Sequence, residues 1–314
     1  MTRRLSDPWT CRNPADAGCG VFPAKTRAAR TFMTTSPFVT VEWLHQRLNA
    51  PDVVVLDASW YLPAQGRDAA AEYQAAHIPG AIRFDLDAMS DTESALPHML
   101  PRPEVFSSKM RALGVGDGAQ VVVYDGMGLF SAPRVRWMLQ TFGMREVKIL
   151  EGGMPAWVAA GYPTEDGEGL PRDRRHFTAR LNNGAVADAG DIARALAGGT
   201  TQVVDARSGP RFRGEEAEPR PGVRPGHMPG AKNLHYAALQ ANGRLRDEAS
   251  LRAAIAEAGV DLDRPVVTTC GSGVTAAIVA LALETLGKEP RALYDGSWSE
   301  WGADPARPVE TGPA

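Results

Sequence analysis

The chain is written twice. Val53-Val54-Val55-Leu56-Asp57-Ala58 in the first half returns as Gln202-Val203-Val204-Asp205-Ala206-Arg207 in the second. Ala76-His77-Ile78-Pro79-Gly80-Ala81 returns as Gly226-His227-Met228-Pro229-Gly230-Ala231. Val121-Val122-Val123-Tyr124-Asp125-Gly126 returns as Val266-Val267-Thr268-Thr269-Cys270-Gly271, and Leu150-Glu151-Gly152 as Tyr294-Asp295-Gly296. The separation stays near one domain length, which marks a duplicated folding unit. With 314 residues there is room for two ordinary domains.

Each half alternates strand and helix. Residues 53–56, 120–124 and 147–150 read as short buried strands. Residues 41–48, 103–113 and 132–142 read as helices, the last two followed by Gly114 and Gly143. This alternation predicts an α/β fold: two tandem domains, each a mainly parallel sheet covered by helices on both faces. The expected boundaries are a tail over 1–35, a first domain over 36–162, a Pro-, Gly- and Arg-rich linker over 163–183, and a second domain over 184–314. The tail is basic and poor in acid, has no apolar period and lacks the apolar core of a secretory signal. It reads as disordered, with Met33 as an alternative start.

A net charge of −3 gives no reason to expect nucleic acid or an anionic membrane as a partner. No apolar run approaches the ~20 residues that span a bilayer. The three cysteines fall at positions 11, 19 and 270, without zinc spacing, so no metal and no organic cofactor is implied. So few cysteines fit a reducing, cytoplasmic setting.

Cys270 stands where a strand stops and a helix begins. Residues 264–268 form the apolar run before it and 276–286 the helical run after it, closed by Gly287. Gly271 and Gly273 let the backbone between them curl. A curled loop that opens a helix turns several N–H groups inward, and the helix dipole adds positive potential. Such a loop favours a thiolate at Cys270. The plainer reading is a small buried apolar cysteine. The first half carries Asp125 at the matching place, and a carboxylate cannot carry sulfur. The first half is thus silent at its own loop and free to supply residues across the domain interface, a usual place for a ligand cleft.

Several chemistries use such a cysteine. A phosphatase loop would carry an arginine six positions on, where this chain has Ala276, and the loop holds no basic residue. A thiol protease needs a histidine paired to the cysteine; His98 is available, but the duplicated fold argues against that class. A persulfide needs only a cradle of donors, to which the Ser272 and Thr275 hydroxyls add.

Cys270-Gly271-Ser272-Gly273-Val274-Thr275 resembles the active-site loop of the 3-mercaptopyruvate sulfurtransferases, within the rhodanese superfamily. His77-Ile78-Pro79-Gly80-Ala81 and Asp295-Gly296-Ser297-Trp298-Ser299-Glu300-Trp301 are similar to two further superfamily motifs. The resemblance implies two rhodanese-like domains, and a Ser/His/Asp relay whose members match Ser272, His98 and Asp87. It implies substrate arginines at Arg211 and Arg220, with the loop residues Gly271, Gly273, Val274 and Thr275 around the donor. His77 and His227 recur in both halves and are expected to be structural. The implied reaction moves sulfur from 3-mercaptopyruvate to a thiol acceptor, such as thioredoxin or a small thiol, or to cyanide. A thiosulfate sulfurtransferase and a non-catalytic sulfur carrier are the rival readings.

Overall fold

The computed structural model describes residues 36–169 and 172–313. The expected tail, with Cys11, Cys19 and Met33, lies outside the described residues.

The first half contains β1 (Phe38–Val39), α1 (Val41–His45), β2 (Val53–Asp57), α2 (Ala69–Ala75), β3 (Ile82–Arg83) and α3 (Leu86–Met89). It continues with α4 (Pro103–Ala112), β4 (Gln120–Tyr124), α5 (Ala132–Thr141), β5 (Val147–Leu150) and α6 (Gly153–Ala159). The second half contains β6 (Val186–Ala187), α7 (Ala189–Gly198), β7 (Gln202–Asp205), α8 (Gly209–Arg213), β8 (Lys232–Asn233), β9 (Gln240–Ala241) and β10 (Arg244–Leu245). It ends with α9 (Glu248–Glu257), β11 (Val266–Thr269), α10 (Ala276–Thr285), β12 (Ala292–Tyr294) and α11 (Ser297–Trp301).

The two five-stranded sheets have the same order, β1-β5-β4-β2-β3 and β6-β12-β11-β7-β8, and every pairing in them is parallel. The central strands β2 and β4 are apolar runs because helices cover both faces. One face of the first sheet packs under Phe84, Phe106, Val135 and Phe142, the other under Leu44, Ile78 and Trp157. The second half adds the small β9–β10 hairpin.

His77 and His227 do the same work in each half. Each is buried, with Nδ1 on the carbonyl of Tyr73 or Phe212, and each bridges to a later segment, at Glu165 or Glu310. In the segment expected as linker, Phe177 is buried against Phe106, and the Arg180 and Asn182 N–H groups donate to Phe142 and Thr141 carbonyls.

The halves meet along α5 and α10, equivalent helices of the repeat. Val274 and Leu281 join the apolar cluster of the first half, and Arg136 grips Glu284 with two bonds of 2.7 Å. This packing places the carboxyl end of β11, and so Cys270, against the first half.

Candidate active site

Cys270 follows the last residue of β11 and is 2% exposed. Its carbonyl accepts from Trp298 N–H (2.9 Å), and the Gly271 carbonyl accepts from Ser299 N–H (2.9 Å) and Oγ (2.6 Å). Among the described residues, the amides of Gly271 to Thr275 donate to no protein acceptor. A row of free N–H groups at a helix entry is an anion cradle.

The matching loop of the first half shows what such a cradle holds. The buried Asp125 carboxylate accepts from the N–H groups of Met127 (2.9 Å), Phe130 (2.7 Å), Ser131 (3.0 Å) and Ala132 (2.9 Å). Burial pushes its pKa up, against the pull of those amides. The first half thus fills its cradle with its own side chain, while the second half leaves the place beside a thiol.

The three relay candidates are joined. Ser272 Oγ lies 3.0 Å from His98 Nδ1, and His98 Nε2 lies 3.0 Å from Asp87 Oδ1. A neutral imidazole with its proton on Nε2 donates to Asp87 and leaves Nδ1 to accept from the serine hydroxyl. The hydrogen bond from His98 holds the Asp87 carboxyl below the usual carboxylate range, and one from Trp60 Nε1 (3.1 Å) helps. Asp85, two residues away, instead caps α3 through Asp87 and Ala88 N–H. The edge of Trp60 meets His98 at 4.8 Å and 86°. Asp87 and His98 come from the first half and Ser272 from the second.

A cavity of about 210 Å³ opens over Cys270, walled by Trp60, Phe130, Arg211, Arg220, His235 and Tyr236, with Gly271, Ser272, Val274 and Thr275 on its floor. Arg211, on α8, reaches over Gly271, its Nη2 3.2 Å from where a Cβ would stand. Its guanidinium is paired with Glu218. Glu218 also binds Arg207 (2.8 Å), a buried arginine held by Asp205 (2.7 Å) and laid on the Trp298 ring at 4.3 Å. Arg220 is different: among the described residues no carboxylate stands within ion-pair distance of it. Burial pulls its pKa down, and the charge of Cys270 opposes that pull. Burial and the nearby Arg211 likewise hold His235 below its ordinary value. Gly273 faces away from this cavity. Its φ is +80°, and a Cβ there would stand 2.8 Å from Arg134 Nη1.

The rhodanese-like domain model matches residues 40–160 and again 188–304. This chain belongs to the rhodanese family. It is 46% identical over 279 residues to a 3-mercaptopyruvate sulfurtransferase of Escherichia coli strain K12, an alignment covering 88% of this chain and 99% of that one. It is 43% identical over 270 residues to the human 3-mercaptopyruvate sulfurtransferase, covering 84% and 91%. The crystal structure of SseA from Escherichia coli superposes with a TM-score of 0.78 at 43% identity, covering 84% of this chain and 99% of that one. The two rhodanese domains are the two halves of the repeat.

Sequence reasoning passed over Trp60, Arg207 and Glu218. Trp60 and Arg207 had a signal. Residues 57–60 read Asp-Ala-Ser-Trp and residues 205–208 read Asp-Ala-Arg-Ser, so the halves diverge just after the shared Asp-Ala. That divergence falls at the carboxyl ends of β2 and β7, the edge at which α/β sheets bind ligands. Glu218 had no such signal; it lies in a charged loop beside Glu215 and Glu216.

Proposed function

We propose that this chain is a sulfurtransferase that takes sulfur from 3-mercaptopyruvate onto Cys270, releases pyruvate and passes the sulfur to a thiol acceptor or cyanide. The observation that carries the reading is the Ser272–His98 bond: a first-domain histidine, backed by Asp87, stands on the second residue of the cysteine loop.

The Cys270 thiolate attacks the donor sulfur. The new S–S bond forms as the donor's C–S bond breaks, and the electron pair of that bond goes to the departing carbon as the enolate of pyruvate. The proton from the donor thiol ends on that carbon. Ser272, in contact with the donor thiol, and His98, whose Nδ1 accepts from it, provide the path for that proton, with Asp87 steadying the imidazolium as it forms. The persulfide anion rests on the free N–H groups of 271 to 275, donors already in place before charge develops. The donor's carboxylate and keto oxygens suit the planar guanidinium forks of Arg220 and Arg211. A second nucleophile, an acceptor thiol or cyanide, then takes the outer sulfur and returns the thiolate.

We further propose domains over 36–162 and 184–314 joined by 163–183, thioredoxin or a small thiol as acceptor, and a cytoplasmic setting. No helix among the described residues is long and apolar enough to cross a membrane. The test is steady-state sulfur release from mercaptopyruvate and from thiosulfate. A specificity constant far larger for mercaptopyruvate supports the reading. Equal constants would favour thiosulfate sulfurtransfer, which suits a basic residue within the loop that this chain lacks. A single turnover without regeneration by thiols would indicate a carrier.

A further inference from the structure

Each domain sends a segment across to the other's loop. After β8, the second domain sends its β9–β10 hairpin over the silent loop: a Cβ on Gly128 would stand 2.7 Å from the Gly243 carbonyl, and Arg244 pairs with Glu151 at 3.3 Å. After β3, the first domain sends residues 96–100 over the active loop, where His98 meets Ser272 and the Leu100 N–H donates to Asp295 Oδ2 (2.8 Å). Glu151 and Asp295 hold the same place in the repeat. The crossings are fastened differently. The Glu151–Arg244 pair lies at the surface, its side chains 39% and 45% exposed. Asp295 is paired instead with Arg134 of α5, and those side chains are 4% and 0% exposed.

Arg134 does more than neutralise Asp295. Its Nη2 donates to Asp295 Oδ1 (2.6 Å) and to the backbone carbonyl of His98 (2.5 Å). Asp295 in turn holds the N–H of Leu100. The pair therefore grips the chain on both sides of Met99, the residue that follows His98. His98 needs such a grip, because its φ is +59°, a left-handed conformation that a residue with a Cβ holds only when its surroundings over-determine it. The guanidinium lies over the Trp137 ring at 4.4 Å, beneath Gly273, whose missing side chain leaves room for it. Among the described residues its Nε and Nη1 are buried without a hydrogen-bond partner. A charge buried with two donors idle is costly to keep for packing alone.

We propose that Arg134 is a positioning residue for sulfur transfer: with Asp295 it sets the backbone of His98 so that Nδ1 faces Ser272 across the domain interface. This rests on the relay reading of His98 given above. The two domains share one site because the first supplies both the histidine and the cation that fixes it.

The test is a double-mutant cycle. Replacing the pair together, Arg134→Met with Asp295→Asn, leaves no stranded charge, and asparagine still accepts from Leu100. In the wild-type background this change should lower kcat with mercaptopyruvate by about ten- to a hundred-fold, part of what an acid–base group contributes, with KM little changed. In a His98→Ala background it should cost little further, because the residue it positions is gone. Thermal melting checks that each variant is folded. Should the pair variant not fold, Arg134→Lys keeps the charge opposite Asp295 without the fork and should show the same kcat-selective, His98-dependent loss. An equal fall of kcat in both backgrounds would mean a merely structural role and would overturn the inference while leaving the relay standing. A His98→Ala protein with wild-type turnover would overturn the relay and this inference together.

Discussion

Replacing Arg220 by alanine separates function from stability in a way that replacing Arg211 does not. Arg220 lines the cavity beside Cys270 and has no ion-pair partner among the described residues. Burial disfavours its charge, so the folded protein pays to keep it there. A donor carboxylate would be its first full partner. Hydrogen bonds to charged groups contribute roughly 1.5–3 kcal/mol each, and a guanidinium offers two. Allowing for partial solvent access, Arg220→Ala should cost about 2–4 kcal/mol in transition-state terms, or roughly 30- to 700-fold in kcat/KM for mercaptopyruvate. Its melting temperature should stay level or rise. Arg211→Ala should also weaken donor use, but it strips one of the two arginines from the nearly buried Glu218 and should lower the melting temperature. Steady-state kinetics alongside thermal melting read both effects. Unaltered mercaptopyruvate kinetics in Arg220→Ala, or a melting temperature well below wild type, would refute the reasoning.

Other expectations follow from the same geometry. Cys270→Ser should abolish turnover and leave the fold intact, because a hydroxyl cannot carry the transferred sulfur; substantial residual transfer would count against the assignment. Asp125→Ala should destabilise the protein by on the order of 3 kcal/mol, since three buried N–H groups and one half-buried one lose their acceptor; chemical denaturation measures it, and a neutral result would contradict the filled-cradle account. The Asp87 carboxyl is held below its unfolded value, so its contribution to stability is present above about pH 3.9 and is lost as pH falls through the lower folded value. Asp87→Asn should therefore lower stability at neutral pH and narrow the gap from wild type in strong acid, which melts across that window would show.

The repeat made most of the architecture legible. It placed β2, β4 and β5 against β7, β11 and β12, and it marked Cys270 by setting it opposite Asp125. The family resemblance, not the repeat, pointed to His98 and Asp87, because neither falls in a motif that returns in the second half. What escaped was set by contacts between halves. Arg134 reads in the sequence as one more charge on an amphipathic helix, and nothing local tells that it lies buried under Gly273 beside Asp295. Glu218 sits among other acids, and only the fold shows that it, unlike Glu215, faces inward to Arg207 and Arg211. Short-range pattern reports which face of an element is apolar. It does not report which charged side chain finds a partner across an interface.

The central claim is that Cys270 carries the sulfur. Mass spectrometry of the wild-type protein after brief exposure to mercaptopyruvate, without an acceptor, tests it most directly. The account predicts one extra sulfur per chain, confined to the peptide that contains Cys270 and removed by a thiol or cyanide. Sulfur on Cys11 or Cys19, or none on Cys270 while transfer proceeds, would contradict it.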